Sequence, residues 1–366
     1  MRNPIVMRFA FLFVLLAVAP VAFAQDAYIG SAPRPIRITT GAVYQQYADA
    51  DADSRLQQVS FPITAFVPVS RPFAVSFSAS PALVSGDEVA SLQGFSDAQI
   101  ALSYYQRLSA ASAVFSLSAN LPSGKRALTQ EEFETSSLLS QNFYGFRLPV
   151  FGQGLNLSPG VALAIPAGDQ AVIGIGASYQ YRGRFEPLVG MADTFKPGDE
   201  LLITGGGDVR LGEAWALSAD VTYTLYQADQ LGDVDVYETG DQLAVSLQAL
   251  GQLGTNQLRV FGRFRDKGKS ALPVNGISVP APRTEPTQGR LLVSYRVRVL
   301  ETVYATLITQ GRYFEATDLF DARTLFDIGA GQEFVLTPEV SLTSRFVYTF
   351  GSFPGVEIGG GLAFTL

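Results

Sequence analysis

The chain has almost none of the side chains that enzymes use for chemistry, and it has one unusual arrangement of charge. Neither cysteine nor histidine occurs in its 366 residues. That removes disulfides, thiolate and imidazole metal sites, and histidine-based acid–base work. A pair of carboxylates could still act alone. The nearest such pairs are Glu131 with Glu132 and Asp233 with Asp235, and neighbouring acids in a polar segment are ordinarily solvated. No catalytic residue, metal site or cofactor is expected, and the chain does not read as an enzyme. The arginines carry more information. Arg259, Arg263 and Arg265 occupy same-parity positions of one stretch, and Arg290, Arg296 and Arg298 do so on the next. Residues two apart on a strand share a face, so two adjacent strands would present one basic wall. Asp97, Asp208, Asp220, Asp327, Glu333 and Glu357 fall on the polar faces of other stretches. Either the arginines pair with these acids to brace a filled interior, or they line a pore whose transverse field orients solutes or favours anions.

The elements that must carry these residues repeat one unit. From Ile36 onward, about ten residues of alternating apolar and polar character are followed by a turn, and the turns are alternately short and long. In Trp215 to Tyr226, one face carries Trp215, Leu217, Ala219, Val221, Tyr223 and Leu225, and the other Ser218, Asp220, Thr222 and Thr224. Stretches of about ten to thirteen residues suit a tilted bilayer crossing and exceed the usual soluble strand. Short turns near Ser109, Gly168, Gly212, Gly251, Glu301 and Pro338 alternate with long polar segments at 123–141, 183–198, 227–240, 267–287 and 315–322. The expectation is an all-β, transmembrane, antiparallel up-and-down β-barrel of about sixteen strands, with fourteen as the alternative. The strands are expected to start near Ile36, Leu56, Phe73, Gly94, Ser112, Gly154, Ala171, Glu200, Ala214, Asp241, Gln257, Gly289, Thr302, Thr324, Val340 and Gly355.

Residues 1–24 read as a cleaved export signal: Arg2 and Arg8, an apolar run from Phe9 to Ala19, then Ala22-Phe23-Ala24. Residues 25–35 would form a short periplasmic segment and 36–366 the barrel. Cleavage takes two of the 26 basic residues and none of the 33 acidic ones, leaving a net charge of −9. Nucleic acid is not expected as a partner on that balance. Outer-membrane lipid is, with Trp215, Tyr179, Tyr181, Tyr223, Tyr295 and Tyr313 as interfacial girdles. The last stretch, Val356 to Leu366, alternates to the end of the chain, as in the C-terminal strand that barrel-assembly machinery recognises. Within the longest loop, Thr129-Gln130-Glu131-Glu132 fits a capping box, which predicts a helix near 129–141. Phe133, Phe143 and Phe146, with Thr129 and Glu132 fixing the helix start, would form either a constriction in the mouth or an external lid packed on itself; the lid is the favoured reading.

The stretch Gly94 to Lys125, GFSDAQIALSYYQR followed by SANLPSGK, resembles outer-membrane proteins of the meta-pathway of phenol degradation, which are loosely akin to FadL-type channels for hydrophobic compounds. The resemblance implies an outer-membrane channel or transporter passing small or hydrophobic solutes passively. A FadL-type channel would also carry an N-terminal hatch, and only residues 25–35 precede the first expected strand. The alternative from another class is a closed barrel with a structural or surface-interaction role. Either protein would reside in the outer membrane of a Gram-negative cell, with its solute unnamed by the sequence.

Overall fold

The computed structural model describes residues 35–48, 55–87, 89–141, 143–146, 152–274 and 277–366. The expected export signal lies outside them. Twenty-four strand segments and one helix follow in chain order: β1 (Arg37–Ala48), β2 (Arg55–Ser60), β3 (Ile63–Pro68), β4 (Phe73–Ala79), β5 (Pro81–Gly86), β6 (Leu92–Phe95), β7 (Ala98–Arg107), β8 (Ser112–Leu121), α1 (Gln130–Leu139), β9 (Asn156–Pro166), β10 (Ala171–Arg182), β11 (Phe195–Lys196), β12 (Glu200–Leu211), β13 (Trp215–Tyr226), β14 (Ala228–Leu231), β15 (Val234–Glu238), β16 (Gln242–Leu253), β17 (Asn256–Lys267), β18 (Ala271–Val274), β19 (Ile277–Pro280), β20 (Gln288–Leu300), β21 (Val303–Phe314), β22 (Arg323–Thr337), β23 (Val340–Gly351) and β24 (Gly355–Thr365).

Nineteen of the segments form one sheet, antiparallel throughout, and β24 closes on β1 from Arg37 opposite Thr365 to Tyr47 opposite Gly355. The result is a closed barrel of sixteen wall strands. The difference between nineteen and sixteen comes from three neighbouring wall strands that are each interrupted once. β2 and β3 break at 61–62, β4 and β5 at Ser80, and β6 and β7 at 96–97. Pro62 and Pro81 stand at two of these breaks, and proline cannot donate to the ladder. The wall stays sewn across the seam, because Phe61 N–H donates to the Pro81 carbonyl and Ser96 N–H to the Ser80 carbonyl, both at 2.9 Å.

Alternation sets the two faces. On β13, Leu217, Val221, Tyr223 and Leu225 are exposed on the outer surface, while Ser218 turns inward and donates to Asp208. Leu201, Ile203, Leu247, Leu291, Leu307, Ile328 and Phe346 continue the apolar belt around the barrel. Aromatic rings mark its rims. Tyr179 and Tyr223 face outward at the long-loop end and donate to Asp199 at 2.7 Å and Asp241 at 2.8 Å, and Tyr295 takes a hydrogen bond from Asn256 at the short-turn end.

The long segments at 183–198, 227–240 and 267–287 are not plain loops. They carry β11, β14, β15, β18 and β19, which pair as a second, five-stranded sheet above the long-loop rim. Short, irregular strands of this kind lack the long alternating pattern that marks the wall. Buried ion pairs mark the wall-strand ends at this rim, Arg182 with Glu200 and Lys267 with Glu285, and Asp229 of β14 accepts from Gly198 N–H just before β12.

The outward position of Val221 generates a test of the two faces. Val221→Arg puts a guanidinium in the middle of the apolar belt and should cost roughly 2 to 4 kcal/mol of folding stability in lipid vesicles. Ser218→Arg, facing the lumen one turn of the pleat away, should cost much less in the same urea titration. Equal losses would reverse the assignment of the faces.

Candidate functional site in the lumen and its mouth

The strand register places all six expected wall arginines on the inner face. Arg263 lies directly opposite Arg290, and Arg290 opposite Arg312. Arg259 stands opposite Ser294, Arg265 opposite Gln288 and Arg296 opposite Gln257. Each has its own neighbours. Arg296 pairs with Glu333 at 2.7 Å and lies 4.0 Å over the Tyr304 ring. Arg298, at the short-turn rim, donates to the Glu301 carbonyl. Arg259 donates to Gln248, Arg290 to Gln310, and Arg265 lies against the Gln288 amide. Among the described residues, Arg259, Arg263, Arg265 and Arg290 have no carboxylate within ion-pair distance.

The acids are taken up mainly by arginines that the sequence reading did not single out. Asp327 holds Arg312 at 2.8 Å, Thr349 at 2.7 Å and Gln310 at 2.6 Å. Glu357 holds Arg345 at 3.2 Å. Arg312 and Arg345 sit on the inner face of β21 and β23, where strand parity marks them although neither belongs to a run of same-parity arginines. Asp208 and Asp220 also face inward, opposite Ser218 and Gly206 respectively. Of the six expected wall arginines, Arg296 alone has a carboxylate partner among the described residues; Arg298 is held by a backbone carbonyl, and Arg259, Arg263, Arg265 and Arg290 form a group without either.

Asp97 has a different job. It lies at the seam between β6 and β7 and accepts from Gly124 N–H at 2.9 Å, Gln153 N–H at 2.6 Å and the Asn120 side chain at 3.0 Å. Gly124 and Gln153 are the two ends of the long loop, so one carboxylate pins both. The backbones cross closely there: a Cβ on Gly152, whose φ is +61°, would collide with the Lys125 carbonyl.

The loop between these ends runs into the mouth. The capping box is present: Thr129 accepts from Glu132 N–H at 3.3 Å, and Glu132 accepts from Thr129 N–H at 3.0 Å and from Lys125 at 2.5 Å. α1 buries Phe133 and Leu139. Beyond it, Phe143, Tyr144 and Phe146 are almost wholly buried against Tyr47, Phe314 and Phe353. Gln45 donates to the Gly145 carbonyl at 3.1 Å, and Arg312 to the Phe143 carbonyl at 2.8 Å. The loop leaves the wall between β8 and β9. It meets side chains of β21, which lies across the ring from that exit, and of β1, about a quarter of the ring away beside β2 and β3. Its described aromatic residues thus pack on side chains of the barrel as well as on one another. The aromatic residues of the loop and the inward apolar residues at the strand ends complete one another's burial. Phe151, the next phenylalanine of the segment, lies outside the described residues.

No family model and no curated protein matches the chain. Among solved structures it is similar to an anion-selective porin from Comamonas acidovorans, at 12% identity over 91% of this chain and 98% of that one, TM-score 0.43. It is also similar to an outer-membrane channel from Pseudomonas putida F1, at 9% identity over 92% and 97%, TM-score 0.40. A mutant porin of Rh. blastica aligns at 15% identity over 90% and 100%, TM-score 0.37.

Two tests follow from the mouth. Asp97→Ala leaves the amides of Gly124 and Gln153 without their acceptor, a loss of about 1 to 3 kcal/mol for each group that stays buried. Limited proteolysis of the folded barrel should then cut between 125 and 152 much faster than in the parent protein, while the barrel itself keeps its heat-modifiable migration. The second test concerns Asp229 on β14. Burial pushes its carboxyl up to about 6, against the opposing pull of the Gly198 N–H bond and of Lys267 and Arg182; Glu200 adds to the rise. Because the folded pKa lies above the unfolded one, the stabilisation is fully present below about pH 4 and is lost as pH rises through about 6. Hydrogen exchange of the 228–231 amides, corrected for intrinsic rates, should show opening that grows between pH 4 and 7. Asp229→Asn should flatten that profile.

Proposed function

We propose that this chain is an outer-membrane channel through which small solutes pass passively, inserted so that the short turns face the periplasm and the second sheet faces the outside. The observation that carries the reading is the combination of a closed wall, apolar on its whole outer belt, with an inner face of charged and polar side chains. A closed antiparallel barrel leaves no unpaired edge in hydrocarbon, and an interior of arginine, aspartate, glutamine and serine is what a water-filled lumen requires. The amphipathic wall has no use for such a belt in water, where an apolar surface of this extent would aggregate. Outer-membrane lipid is thus the partner of the belt, and barrel-assembly machinery that of β24, whose alternate residues Ile358, Gly360 and Leu362 point outward.

The resemblance to the phenol-degradation family suggests hydrophobic solutes; the four unbraced arginines favour solutes with negative charge, and the charge is the stronger guide because it sits on the lumen wall itself. The loop in the mouth gives the alternative role, a closed barrel whose outer sheet makes surface contacts, its physical basis. Conductance of the purified protein in planar bilayers separates the two. The expected outcome is an open channel that prefers anions in a salt gradient, and Arg259→Gln combined with Arg263→Gln and Arg290→Gln should move the reversal potential toward cations. A barrel that inserts and carries no current would exclude the channel. A conducting barrel with unchanged selectivity after the triple replacement would exclude the arginine wall as its filter.

A further inference from the structure

We propose that the lumen holds one discrete binding site for a small carboxylate with a compact apolar body, the carboxylate between Arg263 and Arg290 and the body against Phe261 and Leu292. The proposal rests on the channel reading above and names a class of solute for it.

Three observations on adjacent strands point to this site. Arg263 of β17 and Arg290 of β20 are directly opposed in the register, so two guanidiniums share one patch of the inner wall. Like charges placed directly opposite one another destabilise a sheet, and here no acid among the described residues offsets them. The nearest carboxylate on the β21 side, Asp327, is already held by Arg312, Thr349 and Gln310. Gln310 accepts from Nε of Arg290, which leaves the two terminal nitrogens of that fork for another acceptor, and Nε of Arg263 is buried without any hydrogen-bond partner. A planar guanidinium fork matches the two oxygens of a carboxylate.

The next inward pair along the same two strands, toward the short-turn end, is Phe261 opposite Leu292. Both are half-buried, and Arg259 lies 5.7 Å from the Phe261 ring on its far side. Two apolar side chains facing a wet lumen expose surface that an apolar solute would cover. The two pairs are one pleat repeat apart, about 7 Å, which is the length of a benzoate-sized anion. An inorganic anion would satisfy the arginines and leave the apolar pair wet; a neutral aromatic would do the reverse. A compact organic carboxylate satisfies both pairs at once.

The test uses the full barrel folded in detergent, titrated calorimetrically with sodium benzoate, sodium acetate and benzyl alcohol, with bilayer conductance recorded separately. Benzoate should bind at least about tenfold more tightly than acetate, and benzyl alcohol should give no saturable heat over the same range. Arg263→Gln with Arg290→Gln should weaken benzoate at least about tenfold; should that variant not fold, Arg290→Lys, which keeps the charge and loses the fork, should weaken it to a smaller degree. Phe261→Ser should bring benzoate down to the affinity of acetate and leave acetate unchanged. Equal binding of benzoate and acetate by the parent protein overturns the apolar half of the site, and benzoate affinity that survives the arginine replacements overturns the charged half. A barrel that binds benzoate but carries no current retains the site and refutes the channel, whereas a conducting barrel that binds no benzoate refutes the site and retains the channel.

Discussion

Every backbone amide in the wall has to find its partner on a neighbouring strand, and the sheet meets that demand by closing β24 on β1 over eleven residue pairs. An open edge in hydrocarbon would strand a row of donors and acceptors, each costing several kcal/mol. Closure then fixes everything else. Once the ring is complete, a one-residue slip anywhere would turn a whole strand inside out, so the inward or outward identity of each side chain is set by its parity. The belt of leucine, isoleucine and tyrosine and the lumen of arginine and aspartate are two readings of the same register. Even the seam at Pro62 and Pro81 obeys the demand, since the amides of Phe61 and Ser96 cross it to carbonyls of the next strand.

This explains which parts of the molecule the sequence displays. The wall was legible because period-two alternation over ten or more residues is a long, redundant signal; the expected starts at Phe73, Ser112, Ala171, Glu200, Val340 and Gly355 are the observed ones. The capping box at Thr129 was legible for a local reason, as its two hydrogen bonds join residues three apart. What escaped was non-local. The second sheet unites three segments separated by dozens of residues, with strands as short as the two residues of β11. The path of the loop depends on Phe143 meeting Phe314 and Phe353. Asp97 looked like any inward acid by parity, yet it lies in the seam, where the ladder is interrupted and its carboxylate can reach backbone amides of a loop that begins and ends 27 and 56 residues away.

The seam and the loop are consequently one construction. The wall is weakest where three adjacent strands break, and the loop that enters the mouth is anchored at that place by Asp97. Its middle, at Phe143 and Gly145, rests on Arg312 across the ring and on Gln45 of β1 beside the seam. Aromatic packing between Tyr47, Tyr144, Phe146 and Phe353 gives the loop an aromatic core shared with the long-loop rim of the barrel.

The pattern of charge pairing shows where water is. Arg182, Lys267 and Arg312 are each less than a tenth exposed, and each has a carboxylate beside it. A cation taken out of water is tolerated only with such a partner, because its desolvation cost is several kcal/mol. Arg259 and Arg290 are exposed on the inner face and have none. In the proposed water-filled lumen their charge would be solvated instead, at low cost only while that water stays connected to bulk. Arg182, Lys267 and Arg312 lie toward the long-loop end, while Arg296, also braced, lies near the short turns and the unbraced Arg265 near the long-loop rim. In the channel proposed above, an anion entering the lumen would give up part of its hydration and meet guanidiniums that no acid has already claimed, so the free energy of its entry would be set by the arginines that the fold leaves unpaired rather than by those it pairs.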